Sequence, residues 1–213
     1  ALPISHILVT TNTAGIMAIL TATATAWLLI GKPDLGMSIN GLLAGLVMIT
    51  PGCAFVSVPV SMLLGAISGV LVVVSVVFFD KRKLDDPVGA LSVHLVHGVL
   101  GTLSIGLFAK DGVAGISTLN GLFYGGGFAL LGKQALGVAA TALFVFPVSL
   151  VLWVAIKKTI GLRVSAKEEI EGLDIGEHGN EAYPDFTVLD YTSSPEMMEL
   201  PELAVVHGNV PVE

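Results

Sequence analysis

Two histidines stand in the middle of a long apolar stretch of the chain. His94 and His97 are three residues apart, so a helix would carry both on one face. From Val88 to Ala109 no residue has a formal charge, and these 22 residues are enough to cross the ~30 Å hydrocarbon core of a bilayer at about 1.5 Å per residue. The pattern therefore predicts two imidazoles deep in a membrane.

Ionisable side chains at that depth are costly to bury, so they normally face a bundle interior or a water-filled path and indicate a functional site. Two other interpretations stay open from the residues alone. Each ring can simply hydrogen-bond a neighbouring helix, or the two can bind a metal ion as a ligand pair three residues apart. An intramembrane metalloenzyme would need further ligands, and the apolar spans offer it neither a carboxylate nor a third histidine.

The composition is that of a membrane protein with an acidic tail. Hydrophobic residues make up 54% of the 213 residues and charged residues only 13%, which excludes an ordinary soluble domain. Residues 1–164 hold nine Lys/Arg and five Asp/Glu, whereas residues 165–213 hold one Lys and twelve Asp/Glu. The single cysteine, Cys53, excludes an internal disulfide and a cysteine-rich metal site.

The apolar stretches predict an all-α bundle of five transmembrane helices within residues 1–160. Charged turns at 31–34 and 80–83 separate some of them, and Pro51 and Pro59 divide a run that is too long for one span. We expect the histidine helix to begin at Asp86, which suits an N-cap and precedes a proline. The predicted spans cover about 7–30, 37–55, 60–79, 88–109 and 135–157.

Five spans place the two ends of the chain on opposite sides of the membrane. Basic residues favour the cytoplasmic side. With the C-terminus inside, seven basic residues lie at that face and only Lys110 and Lys133 lie outside, so we expect an outside N-terminus and a cytoplasmic C-terminus. The chain begins at Ala1 with neither an initiator methionine nor a signal peptide, and a piece of a longer protein is the expectation.

Several motifs resemble the ammonium transporter family, the Amt/Mep/Rh proteins, from Thr11 to about Phe186. They keep the family's order and spacing: NTAG, IGKP, GLLAGLVMITPGCAFV, DDPVGALSVH and GLRVSAKEEIEGLDIGEHGNEAY. The resemblance implies a polytopic bundle of eleven helices, built as an inverted repeat of five plus five with one extra helix. This chain would supply five of the eleven, from the second repeat, together with the last helix and the cytoplasmic tail.

The resemblance implies transport of ammonium or ammonia through a hydrophobic pore, by a protein that is not an enzyme and uses no cofactor, metal or nucleic acid. His94 matches the second member of the family's twin-histidine pair, because DDPVGALSVH aligns without a gap. A competing alignment places His97 there, since HGVLG resembles the HGVxG of many relatives. Relatives that carry HLVNG favour His94, with His97 as a second candidate. An ammonium sensor or a membrane scaffold of the same fold is the alternative function.

The resemblance also implies a homotrimer in the plasma (inner) membrane and a regulatory tail, residues 161–186, that meets a PII signalling protein. Ser165 and Glu168 form a capping-box pattern, which predicts a short helix to Glu171. Residues 187–213 are expected to be a disordered acidic extension. The tail positions that match the family are Gly161, Arg163, Gly172, Asp174, His178, Gly179 and Tyr183.

Overall fold

The structure, a computed structural model, describes residues 2–180, except for the side chains of Glu171 and Ile175. All regular elements within this range are helical. The α-helices are α1 (Leu2–Ile30), α2 (Leu35–Ile49), α3 (Val58–Lys81), α4 (Val96–Phe108), α5 (Ala129–Thr159) and α6 (Ala166–Glu171). π-Helical turns lie at Ala90–Leu95 and Asp174–His178, and short 3₁₀ turns at Val113–Gly115 and Leu122–Tyr124.

Four helical segments in the described part of the chain are long and apolar enough to cross a membrane. They are α1, α3, the continuous stretch Ala90–Phe108 and α5. Helix α2 is apolar but has 15 residues, fewer than the ~20 that a full crossing needs. The described part of the chain divides into two units between Phe146 and Pro147, within α5.

Small residues let α2 pack closely on α1 in the first unit. A Cβ atom placed on Gly45 would lie 2.5 Å from the Cβ of Ala18 and 2.8 Å from the carbonyl oxygen of Ala14. No side chain larger than hydrogen fits at that distance, which explains why glycine and alanine line the contact. Close backbone approach of this kind is typical of helices that associate in lipid.

Hydroxyl groups of α1 add hydrogen bonds to α2 and α3. Thr13 Oγ1 lies 2.8 Å from Ser61 Oγ of α3, and Thr23 Oγ1 lies 2.7 Å from Ser38 Oγ of α2. Thr21 Oγ1 also donates to the carbonyl oxygen of Ala66 over 2.9 Å. The Thr- and Ala-rich sequence of α1 therefore provides both the close packing and the polar links that hold α2 and α3 against it.

Within the second predicted span, 37–55, α2 ends at Ile49, directly before Thr50 and Pro51. Turns follow, and groups from elsewhere satisfy their carbonyls. Thr10 Oγ1 donates to Cys53 O over 2.8 Å, and the His6 Nε2–H group donates to Val56 O over 2.9 Å. Non-helical backbone at membrane depth is tolerated where protein groups bind it in this way.

The ends of the other spans also differ from the sequence-based bounds. Helix α1 begins at Leu2, α3 runs from Val58 to Lys81, and α5 begins at Ala129. The histidine helix begins at Ala90, two residues after the start of the predicted span 88–109, and its N-cap is Gly89 and not Asp86; Gly89 adopts a left-handed conformation (φ 73°). Glycine accepts this conformation without the steric cost that a side chain would bring.

Candidate functional site

The π-helical turn Ala90–Leu95 carries His94, and a single carboxylate holds the start of the turn. Asp86 accepts hydrogen bonds from Leu91 N–H (2.9 Å), Ser92 N–H (2.8 Å) and Ser92 Oγ–H (2.7 Å). These donors belong to the first turn of the helix, whose N–H groups have no carbonyl partner inside it. Asp86 therefore caps the helix, as predicted. It does so from three residues before the N-cap position, which Gly89 occupies.

The hydrogen bonds to Asp86 also change its acidity. Partial burial by itself would raise the pKa of this carboxyl group. The N–H group of Leu91 and the hydroxyl and N–H groups of Ser92 stabilise the ionised form, and together they lower the pKa below its ordinary value. Asp86 is therefore a carboxylate at neutral pH, and its negative charge lies at the positive end of the helix dipole.

The ring of His94 is exposed on the surface of this chain. Its backbone N–H donates to the carbonyl oxygen of Gly89 over 3.1 Å, a bond across five residues that is characteristic of a π-helix. Within residues 2–180 neither ring nitrogen makes a hydrogen bond. Both nitrogens are consequently available to a solute or to another part of the protein, and a neutral imidazole offers one donor and one acceptor.

The ring of His97, in contrast, is fully buried, with 0% of its surface exposed. Its Nδ1 atom lies 2.9 Å from Ser92 O and 3.2 Å from Val93 O, and its Nε2 atom lies 3.2 Å from Ser68 O of α3. These contacts match the interpretation in which a membrane histidine bonds neighbouring backbone. Ser68, whose side-chain hydroxyl is buried without a partner in the described part of the chain, was not anticipated from the sequence.

The two histidines thus differ in exposure although they are three residues apart: His94 is exposed and His97 is buried. Within residues 2–180 no three His, Cys, Asp or Glu side chains come close enough together to hold a metal ion. The histidine pair therefore finds no third metal ligand there.

The predicted tail positions lie in the second unit, around α6. The expected capping box is confirmed: Ser165 Oγ accepts from Glu168 N–H, and the Glu168 carboxylate accepts from Ser165 N–H. The Ser165 hydroxyl also donates to the Glu168 carboxylate over 2.7 Å, and this bond, followed by that of the Ser165 N–H group, lowers the pKa of Glu168. Arg163 donates two hydrogen bonds to the carboxylate of Glu169, over 2.7 and 2.9 Å.

The remaining tail positions shape the backbone around this helix. Gly161, Gly172 and Gly179 all have positive φ angles, of 92°, 87° and 66°, which suit glycine. Asp174 and His178 begin and end the second π-helical turn. Tyr183 lies outside the described residues.

A bundle of apolar helices, several of them long enough to cross a bilayer, defines an integral membrane protein with several spans. The chain belongs to the Ammonium Transporter Family, whose sequence profile matches residues 3–183. This result confirms the resemblance that the motifs carry.

Individual relatives agree with that assignment. The chain is 41% identical over 191 residues to the ammonium transporter Amt2 of Archaeoglobus fulgidus, a match that covers 87% of this chain and 40% of the relative. It is also 41% identical over 191 residues to an ammonium transporter of Mycobacterium tuberculosis, covering 82% of this chain and 39% of the relative. The chain thus spans about two fifths of the length of these relatives.

Solved structures give the same fold. A sensor Amt protein superposes with a TM-score of 0.74 at 31% sequence identity, over 84% of this chain and 43% of that structure. Mep2 of Candida albicans superposes with a TM-score of 0.73 at 26% identity, over 89% of this chain and 44% of that structure. The helical arrangement described above is therefore that of the Amt/Mep proteins.

Proposed function

We propose that the protein carrying this chain moves ammonium or ammonia across the membrane through a pore lined by His94. The observation that carries the proposal is the exposed ring of His94, in a helical stretch long and apolar enough to cross a membrane, with both nitrogens free of partners in residues 2–180. The names of the ammonium transporters that the chain resembles supply the solute.

The chemistry of the ring suits this solute. A cation is costly to move through hydrocarbon unless it loses its charge or is closely coordinated. A neutral imidazole can accept a hydrogen bond from an N–H group of ammonium or ammonia, and histidine can also take up and pass on a proton near neutral pH. His94 would act in either way beside a second histidine, which the resemblance assigns to the other repeat.

The orientation and the partners of the protein are further parts of this proposal. With α2 and the turns after it counted as the second of five spans, the seven-to-two distribution of basic residues supports a cytoplasmic C-terminus in the plasma membrane. The family resemblance supports a homotrimer whose tail contacts a PII signalling protein. The capping box and the paired contact between Arg163 and Glu169 give the tail a defined local structure, as a regulatory segment requires.

A sensor is the second candidate function, because one of the matching structures is a sensor Amt protein. Flux measurements separate the two. The complete natural protein is purified and reconstituted into proteoliposomes, and an ammonium gradient is imposed. We expect an ammonium flux well above that of protein-free vesicles. A flux equal to that of protein-free vesicles, with ammonium binding retained, would contradict transport and favour the sensor.

A further inference from the structure

We propose that His97 is a positioning residue for His94. The Nδ1–H group of its buried ring donates to backbone carbonyls of the π-helical turn, and this bond holds the turn in the form that presents His94. The inference rests on the proposed role of His94 in the pore.

The contacts of His97 Nδ1 lie directly before His94 in the chain. Nδ1 of His97 lies 2.9 Å from the carbonyl oxygen of Ser92 and 3.2 Å from that of Val93. These two peptide groups come directly before His94, so any change in their orientation moves the backbone that carries its ring. Both ring nitrogens face carbonyl oxygens, and a neutral imidazole has one N–H group; we assign its proton to Nδ1, which has two acceptors and the shorter contact.

The hydrogen bonds of the π-helical turn leave the carbonyl oxygen of Ser92 without the donor it would have in an α-helix. In an α-helix the N–H group of Val96 would donate to the carbonyl oxygen of Ser92, four residues earlier. Here it donates to the carbonyl oxygens of Leu91 and Val93 instead. The π-helical turn therefore takes this donor away from Ser92, and the ring of His97 supplies one in its place.

The ring of His97 and the residues that it contacts in the turn are buried. Ser92, Val93 and His97 all have 0% of their surface exposed, so water cannot replace the ring as a donor. The opposite edge of the ring lies against α3, with Nε2 3.2 Å from the carbonyl oxygen of Ser68; in the Nδ1–H form this contact is packing and not a hydrogen bond. Asp86 holds the start of the same turn, and His97 holds its end. His94 lies between these two fixed points.

A matched set of variants in the complete protein tests the role of Nδ1. The amide nitrogen of asparagine is separated from Cα by as many bonds as Nδ1, and that of glutamine by as many as Nε2. His97→Asn therefore keeps the donor to the turn, His97→Gln places a donor only toward α3, and His97→Leu has no donor. Each variant is compared by ammonium flux per folded molecule, by selectivity for ammonium over potassium, and by hydrogen exchange of residues 90–95.

We expect His97→Asn to stay close to the wild type in all three measurements. His97→Gln and His97→Leu should lose about tenfold or more in flux, change selectivity, and exchange faster in residues 90–95 than elsewhere in the protein. Should His97→Leu fail to fold, the contrast between Asn and Gln still decides. Wild-type flux and exchange in His97→Gln, or rescue by Gln and not by Asn, would overturn the proposal.

The hydrogen-exchange result separates this inference from the pore assignment. If His94→Ala leaves flux and selectivity unchanged, the proposed function fails, whereas the exchange rates of residues 90–95 still report whether His97 holds the turn. If His94→Ala abolishes transport but the three His97 variants exchange and transport alike, only the positioning role is overturned.

Discussion

The carboxylate of Asp86 binds three donors at the start of the histidine helix, whereas Asp85 beside it is exposed. Asp86→Asn should lower the free energy of unfolding at neutral pH by about 1 kcal/mol, because the amide cannot accept all three bonds. Asp85→Asn is the matched control and should change it by no more than a few tenths. Denaturant unfolding in detergent micelles measures both.

The difference in the free energy of unfolding between the wild type and Asp86→Asn should depend on pH in a defined direction. The pKa of Asp86 is lowered in the folded protein, so its stabilising effect is present above the ordinary value of 3.8 and is lost as pH falls through the lower, folded value. The stabilities of the wild type and Asp86→Asn should therefore converge between about pH 5 and about pH 2. A difference that stays constant over this range would contradict the assigned hydrogen bonds.

The sequence indicated both histidines within an apolar span but could not separate their surroundings. Asp86 binds the start of the turn that carries His94, and the ring of His97 lies against Ser68 of α3; the spacing of the two residues shows neither contact. The gapless match of DDPVGALSVH to the family motif selected His94, and the exposed ring at that position is compatible with this choice. The burial of His97 follows from α3 and was not visible in the local sequence.

At the scale of helices, close packing makes a sharp prediction. A Cβ atom on Gly69 of α3 would overlap the carbonyl oxygen of Ala18 and the Oγ1 atom of Thr21, and would lie 2.8 Å from the backbone nitrogen of Ala22. Backbone atoms cannot move aside without separating the helices. Gly69→Ala should therefore lower the free energy of unfolding by about 2 kcal/mol, measured by denaturant unfolding.

The matched control for this substitution is Gly132→Ala in α5. No atom within 4 Å would meet a Cβ at Gly132, and alanine favours a helix over glycine by up to about 1 kcal/mol. This variant should be neutral or slightly more stable. Equal losses of stability in the two variants would show that helix propensity, and not the contact with α1, determines the effect.

The helix ends were the least predictable part of the fold. Proline and charge signals located the connections, including Pro51 just after the end of α2 at Ile49, but not the hydrogen bonds that His6 and Thr10 donate to the turns that follow. Those two residues lie more than forty positions away in the chain, and no local pattern shows that they would meet. The capping box of Ser165 and Glu168 was predicted correctly because all of its hydrogen bonds are local.

At the scale of the whole molecule, the family and the all-helical fold were evident from the order of the motifs, and both are confirmed. The orientation in the membrane stays a prediction. It follows from basic residues at a few loops, an asymmetry that acts during insertion and leaves no mark on the packing of the helices.

Labelling of introduced cysteines tests the orientation. Lys81 and Lys133 are both exposed and are predicted to lie on opposite sides of the membrane. In a Cys53→Ser background, a membrane-impermeant maleimide should label Lys133→Cys in intact cells, and Lys81→Cys only after the membrane is opened. The reverse pattern would place the C-terminus outside and contradict the proposed orientation.

The proposed function requires that the exposed imidazole of His94 lines the path of the solute. The most direct measurement is the ammonium flux and the ammonium-over-potassium selectivity of His94→Ala in proteoliposomes of the complete protein, beside His6→Gln. His6→Gln removes another histidine but keeps a donor for the carbonyl oxygen of Val56. We expect flux and selectivity to change in His94→Ala and not in His6→Gln. Transport and selectivity identical to the wild type in His94→Ala would contradict the proposed function.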